Sequence, residues 1–296
     1  MATLREIRQR ISGVKSTQKI TKAMKMVAAA KLRRAQDGVI AARPYARTMR
    51  DLLQHLGGIV DVSAHPLFVP RPVGRAAVIV VSADRGLCGA FNTNILKTSV
   101  NHIRDAFGPL HASGNLSVIT VGKKATDFFT KNGYAVAASY PGIFAALDFG
   151  KAQGIMSGIV TRYLNGEFDR VDVVYNEFRS IIQQRVVIEQ ILPIPQISNR
   201  DDEGISSRPD YIYEPSSAEI VAALVPRHLN FQIWRILLES YAAEQGARMT
   251  AMDNATTNAS DLIRGLQLSY NKARQTSITK ELLEIVSGAE ALKTSA

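Results

Sequence analysis

Leu4, Ile7, Ile11 and Val14 step by three, four and three residues, an apolar seam along one side of a helix. No glycine occurs between Gly13 and Gly38 and no proline before Pro44, so the pattern predicts one long helix over residues 3–56. Pro44 is a candidate kink, and Gly57-Gly58 a stop. At the other end, Met249, Met252, Thr256, Ala259, Ile263, Leu266, Tyr270 and Ala273 alternate steps of three and four, with Thr256 the one non-apolar member. Such a heptad run specifies a left-handed coiled coil. A second apolar series, Ile278, Leu282, Ile285, Ala289 and Leu292, starts one residue late, which puts a phase slip at "RQTS", residues 274–277.

Between these ends the texture changes. "SAHPLFVPRPVG" at 63–74, with three prolines, reads as a linker. The short β-branched runs at 75–82, 116–122 and 134–140 alternate with helix-like stretches near 90–107, 123–132 and 146–164, a βαβ pattern that predicts a partly parallel sheet. "RVDVVYNEF" at 170–178 and "QQRVVIEQIL" at 183–192 lie close enough to form a hairpin. The expected architecture is α/β plus a long coiled coil: antiparallel pairing of the N- and C-terminal helices, with an inserted Rossmann-like α/β domain. The expected boundaries are 1–58 for the N-terminal helix, 74–200 for the α/β domain, 201–217 for a connector and 218–296 for the C-terminal helix.

Charge sharpens this picture. The net charge is +10, yet the first 50 residues alone hold 13 Lys/Arg against two acids, and the rest of the chain is close to neutral. Between Glu6 and Asp37 no acidic residue occurs, and Lys15–Lys19, Lys19–Lys22, Lys22–Lys25 and Lys31–Arg34 stand at i,i+3 or i,i+4. Each such pair costs an isolated helix roughly 0.2–0.5 kcal/mol. Arg8, Lys15, Lys19, Lys22 and Arg33 cluster on one side, a cationic stripe beside the apolar seam. One basic helix on a near-neutral chain favours a specific acidic partner. A basic coiled-coil arm for nucleic acid is the alternative, disfavoured by the seam on the same helix and the lack of interleaved aromatics. The helical pattern runs past residue 50 with no cleavage-like site and little Ser, so a targeting peptide is not expected.

Catalytic motifs are absent. Neither G-x-x-x-x-G-K-[ST] nor G-x-G-x-x-G occurs, and the five histidines show no metal-ligand spacing. "SADRGLCGAFN" at 82–92 is a Gly-containing strand-to-helix turn, more readily a turn than a phosphate cradle, and its Cys88 reads as a small buried thiol. The single cysteine excludes an intramolecular disulfide framework. No cofactor, metal or catalytic residue is expected.

"TLREIRQRISGVKSTQKITKAMKMVAAAKLRRAQ" at 3–36, "SADRGLCGAFN" at 82–92, "ARMTAMDNATTNAS" at 247–260 and "YNKARQTSITKELLEIVSGAEAL" at 270–292 resemble the γ subunits of F-type ATP synthases, and the "RMTAMDNA" form looks α-proteobacterial. The resemblance implies a non-catalytic rotor shaft, one copy per complex. Its terminal helices would turn inside an α3β3 hexamer, and its α/β domain, with the ε subunit, would rest on the c-ring of the membrane sector. The implied location is peripheral, on the cytoplasmic face of the bacterial inner membrane, with no nucleic acid among the partners.

The resemblance also implies site residues. Arg274-Gln275 match a pair that hydrogen-bonds a catch loop of β, and Arg248 and Thr279 match positions tied to coupling. Met24 lies in "KITKAM", while Lys19 and Lys22 would face an acidic lever of β. Tyr211, Tyr213 and Glu214 in "PDYIYEP" match the foot near the c-ring and ε. The apolar stretch from Ile278 to Leu292 would turn in an apolar sleeve, where the hydrophobic effect suits rotation because it is non-directional.

Overall fold

A computed structural model describes residues 3–57, 65–180, 184–195 and 216–294. The chain forms two compact units, Met1–Val27 with Met249–Ala296, and Ala28–Arg248. This division falls inside the two terminal helices, α1 (Leu4–Gly57) and α5 (Ser217–Thr294). The inner portions of both helices belong with the sheet because their apolar residues bury there, so the units do not part at the proline-rich segment.

The larger unit is built on five strands: β1 (Ala76–Val81), β2 (Leu116–Val121), β3 (Val136–Tyr140), β4 (Arg170–Phe178) and β5 (Gln184–Leu192). Their order is β3-β2-β1-β4-β5, parallel except for the antiparallel β4–β5 hairpin. Every residue of β1 is buried, as expected of a central parallel strand covered on both faces. Alternation sorts its side chains. Ala77, Ile79 and Val81 join a cluster with Ile155, Ile159 and Tyr163 of α4 (Phe149–Leu164) and with Val225, Leu229 and Ile233 of α5. Ala76, Val78 and Val80 face Ile95 and Ile103 of α2 (Phe91–Ala112) and Ala125 and Phe129 of α3 (Lys123–Lys131). The result is three layers, helix–sheet–helix. Within the same unit α1 lies along α5: Leu32 and Ala35 pack on Ala242, and the rings of Tyr45 and Phe231 stand 5.1 Å apart.

The smaller unit is a pair of antiparallel helices. The Thr21 and Thr256 hydroxyls lie 2.8 Å apart, and Lys25 Nζ reaches Asp253 Oδ1 at 2.6 Å, so rising numbers on one helix meet falling numbers on the other. Exposure follows the heptads. Ile7, Thr21, Met252, Ala259 and Ile263 are buried, and Leu4, Ile11, Val14, Gln18, Leu266, Tyr270 and Ala273 are half-buried. The residues between them on both helices are mostly exposed.

Both long helices begin with reciprocal caps. Thr3 Oγ1 accepts from the Glu6 amide while Glu6 Oε2 accepts from the Thr3 amide. Ser216 Oγ accepts from the Glu219 amide and donates to Glu219 Oε1. These are the S/T-x-x-E starts of capped helices.

Candidate partner interface

On α1, Arg8, Lys15, Lys19 and Lys22 are exposed, so the cationic stripe lies open beside the buried seam. Among the described residues no hydrogen bond or ion pair reaches Lys19 or Lys22. Lys25 is tied down by Asp253, both of them solvated. Gln18, Lys19, Lys22, Lys25, Met26 and Thr256 line a shallow groove of about 460 Å³. Its lining is mostly apolar, and three lysines, Lys19, Lys22 and Lys25, contribute to it and can pair with carboxylates. Met24 is half-buried on the same helix.

The expected phase slip at residues 274–277 is corrected by the burial pattern. The half-buried positions continue unshifted from Ala273 to Ser277, and the helix does not break. The late-starting apolar set is exposed instead from Ile278 to Ala289: Leu282 at 57% and Ile285 at 68%, with Ile278 and the neighbouring Leu283 and Val286 similar. The reason is length. Carried outward from the Thr21–Thr256 layer, the register sets Leu4 opposite Ala273, so residues 275–294 overhang the end of α1. Arg274, Gln275 and Thr279 are exposed at the start of this overhang, and the Thr279 hydroxyl donates only to its own helix, to Gln275 O at 3.0 Å. Contiguous exposed apolar side chains of this kind mark an interaction surface.

Arg248 belongs to the other unit and works inward. It donates to Glu244 Oε1 at 2.6 Å and to the Gly86 carbonyl, fastening the turn after β1 to α5. Burial pushes the Glu244 carboxyl up, against the pull of Arg248. In the same turn Asn92 accepts from the Ala83 amide and donates to Cys88 Sγ at 3.2 Å, and Leu87, exposed, has φ +64°. Burial also raises the Cys88 thiol, the direction of an unreactive cysteine.

This turn lies where strand order reverses, between β1 and β4, the crevice in which open α/β sheets hold ligands. Here Ala83, Cys88 and Phe91 close over Ala243, with Phe178 and Ala247 packed against them. The chain's own C-terminal helix fills the space. Glu244 and the Gly86 carbonyl were missed by sequence reasoning. The i,i+4 spacing of Glu244 and Arg248 offered a signal for the first and nothing did for the second. Tyr211, Tyr213 and Glu214 lie outside the described residues.

The structure thus gathers Lys19, Lys22 and Met24 on one helix and Arg274, Gln275 and Thr279 on the overhang of the other, while Arg248 belongs to the sheet-bearing unit. A family model described as ATP synthase matches residues 3–292. The ATP synthase gamma chain of Chlorobaculum tepidum is 54% identical over 294 residues, covering 99% of this chain and 100% of the relative. That of Chloroherpeton thalassium is 52% identical over 305 residues, with full coverage of both. Among solved structures, a chain of the Euglena gracilis mitochondrial ATP synthase (OSCP/F1/c-ring, rotational state 3) superposes with a TM-score of 0.69 at 23% identity, covering 98% of this chain and 94% of that one. A chain of the Tetrahymena thermophila central stalk and c-ring gives 0.59 at 22%, covering 80% and 99%. The α-proteobacterial affinity expected from one short motif finds no support, because half-identity to these two bacterial chains runs the whole length. The nucleic-acid alternative finds none either. The chain belongs to the ATP synthase γ chain family, whose members are non-catalytic central-stalk subunits of the rotor.

Proposed function

We propose that this chain turns with the c-ring as the axle of its complex and drives the catalytic β subunits of an α3β3 hexamer through their nucleotide-binding states. The α/β domain and the ε subunit form its foot, with Tyr211, Tyr213 and Glu214 at the c-ring and ε contact. Lys19 and Lys22 engage acidic levers of β, Arg274 and Gln275 engage its catch loop, and Arg248, Thr279 and Met24 support coupling. The chain is peripheral on the cytoplasmic face of the inner membrane. In keeping with that, no helix among the described residues is long and apolar enough to cross a bilayer.

One observation carries the reading: the helical pair leaves Lys19 and Lys22 exposed, with no internal carboxylate partner among the described residues, and beyond them an apolar overhang. A self-repelling helix is stabilised when a surrounding body supplies the carboxylates. Co-purification from native membranes tests the proposal. The chain should emerge with α, β, ε and c subunits and show no ATPase activity alone. Turnover of ATP by the purified chain at an enzyme-like rate would contradict it.

A further inference from the structure

We infer that Thr21 and Thr256 set the axial register of the helical pair. In the observed register, seam meets seam: Val14 stands opposite Ile263, Ile11 opposite Leu266 and Ile7 opposite Tyr270. A slide of one heptad, ~10.5 Å at 1.5 Å per residue, taken up by one helix looping out beyond the packing of Leu32 and Ala35 on Ala242, would again set apolar residues against apolar residues. The hydrophobic effect is non-directional and distinguishes poorly between such registers. A hydrogen bond across the seam does distinguish them, as one buried polar pair does in other coiled coils.

Thr21 is buried at 8% exposure, and its hydroxyl lies 2.8 Å from that of Thr256. Each hydroxyl also has a carbonyl of its own helix in reach: Gln18 O at 3.0 Å from Thr21, and Met252 O at 2.7 Å from Thr256. Two protons serve these three contacts, so one hydroxyl donates into its own helix and the other donates across. After a one-heptad slide Thr21 would face Met249 or Ile263. Both hydroxyls would fall back on their own helices, and the cross-helix bond would be lost. The Lys25–Asp253 bridge, one layer along, would break in the same movement. The polar layer therefore adds little stability that an apolar pair would not, and adds a choice among registers.

Disulfide trapping in the full chain, with Cys88→Ser, tests this. Val14→Cys with Ile263→Cys reports the observed register. Val14→Cys with Tyr270→Cys, and Ile7→Cys with Ile263→Cys, report slides of one heptad in either direction. With both threonines present, only the first pair should oxidise readily. In Thr21→Val/Thr256→Val the slid pairs should rise about fivefold, the factor one net hydrogen bond supplies, while Thr21→Ser/Thr256→Ser should behave as the parent. Should the double valine chain fail to fold, Thr21→Val alone breaks the same bond and is read in the same way. Slid pairs that stay at background in the valine variants would overturn the inference, since packing elsewhere would then fix the register. Slid pairs that rise equally in the serine variant would overturn it too.

Discussion

Gly122 adopts φ +90° at the junction of β2 and α3, and a Cβ there would stand 2.1 Å from the Ser82 carbonyl oxygen. Both atoms are backbone-fixed, so Gly122→Ala should cost more than about 4 kcal/mol, the range of lesions that prevent folding. Thermal melts of the isolated chain would show it. Asp172 is a second sensitive point. Its carboxylate, 1% exposed, receives both Arg170 Nε and Nη2 and pairs with His102 Nε2 at 2.8 Å. Burial alone would raise this carboxyl, but the hydrogen bonds from His102 and Arg170 together hold it below the ordinary range. A carboxyl lowered in the folded state stabilises above its unfolded value, and that contribution is lost as pH falls through the folded value. Asp172→Asn should therefore cost about 3 kcal/mol at neutral pH and remove a step of acid destabilisation that the parent shows below about pH 4. Unfolding curves taken across that interval measure both. Neither point was legible in the sequence. An Asp within a strand reads as solvated, and its histidine is 70 residues away; Arg248 meets a carbonyl 162 residues away. The seam residues were legible because their spacing is periodic.

At the scale of elements, alternating strand and helix patterns located the five strands to within two residues, β4 without error. Two signals were present but unread, the T-x-x-E at Thr3 and S-x-x-E at Ser216 that start the long helices. The supposed slip at residues 274–277 shows the opposite failure. Apolar periodicity was real there, but sequence does not say where a partner helix ends, and α1 ends first. Removal of residues 278–294 should accordingly leave the helical pair intact, shifting its unfolding free energy by less than about 0.5 kcal/mol, because the exposed side chains removed bury little within the chain. The same truncation should weaken retention of the chain by the hexamer. A melt compared with a pull-down separates the two effects, and a large loss of helical-pair stability would show the overhang to be structural.

For the whole molecule, the uneven charge becomes intelligible as a division of labour. Carboxylates within the chain satisfy Arg170, Arg235 and Arg248 in the sheet-bearing unit, while among the described residues none reaches Lys19 or Lys22, the two proposed to engage β. Lys19→Glu/Lys22→Glu should leave assembly largely intact and lower the ratio of protons pumped to ATP hydrolysed, measured in inverted vesicles. Unaltered pumping would remove the stripe from the mechanism. In the proposed function the two ends of the chain form an axle that turns against a surrounding collar. The most direct measurement fixes the chain's hexamer to a surface, attaches a bead to the α/β domain and supplies ATP. One-directional rotation of the bead that keeps pace with hydrolysis is the predicted result, and hydrolysis at full rate under a stationary bead would contradict it.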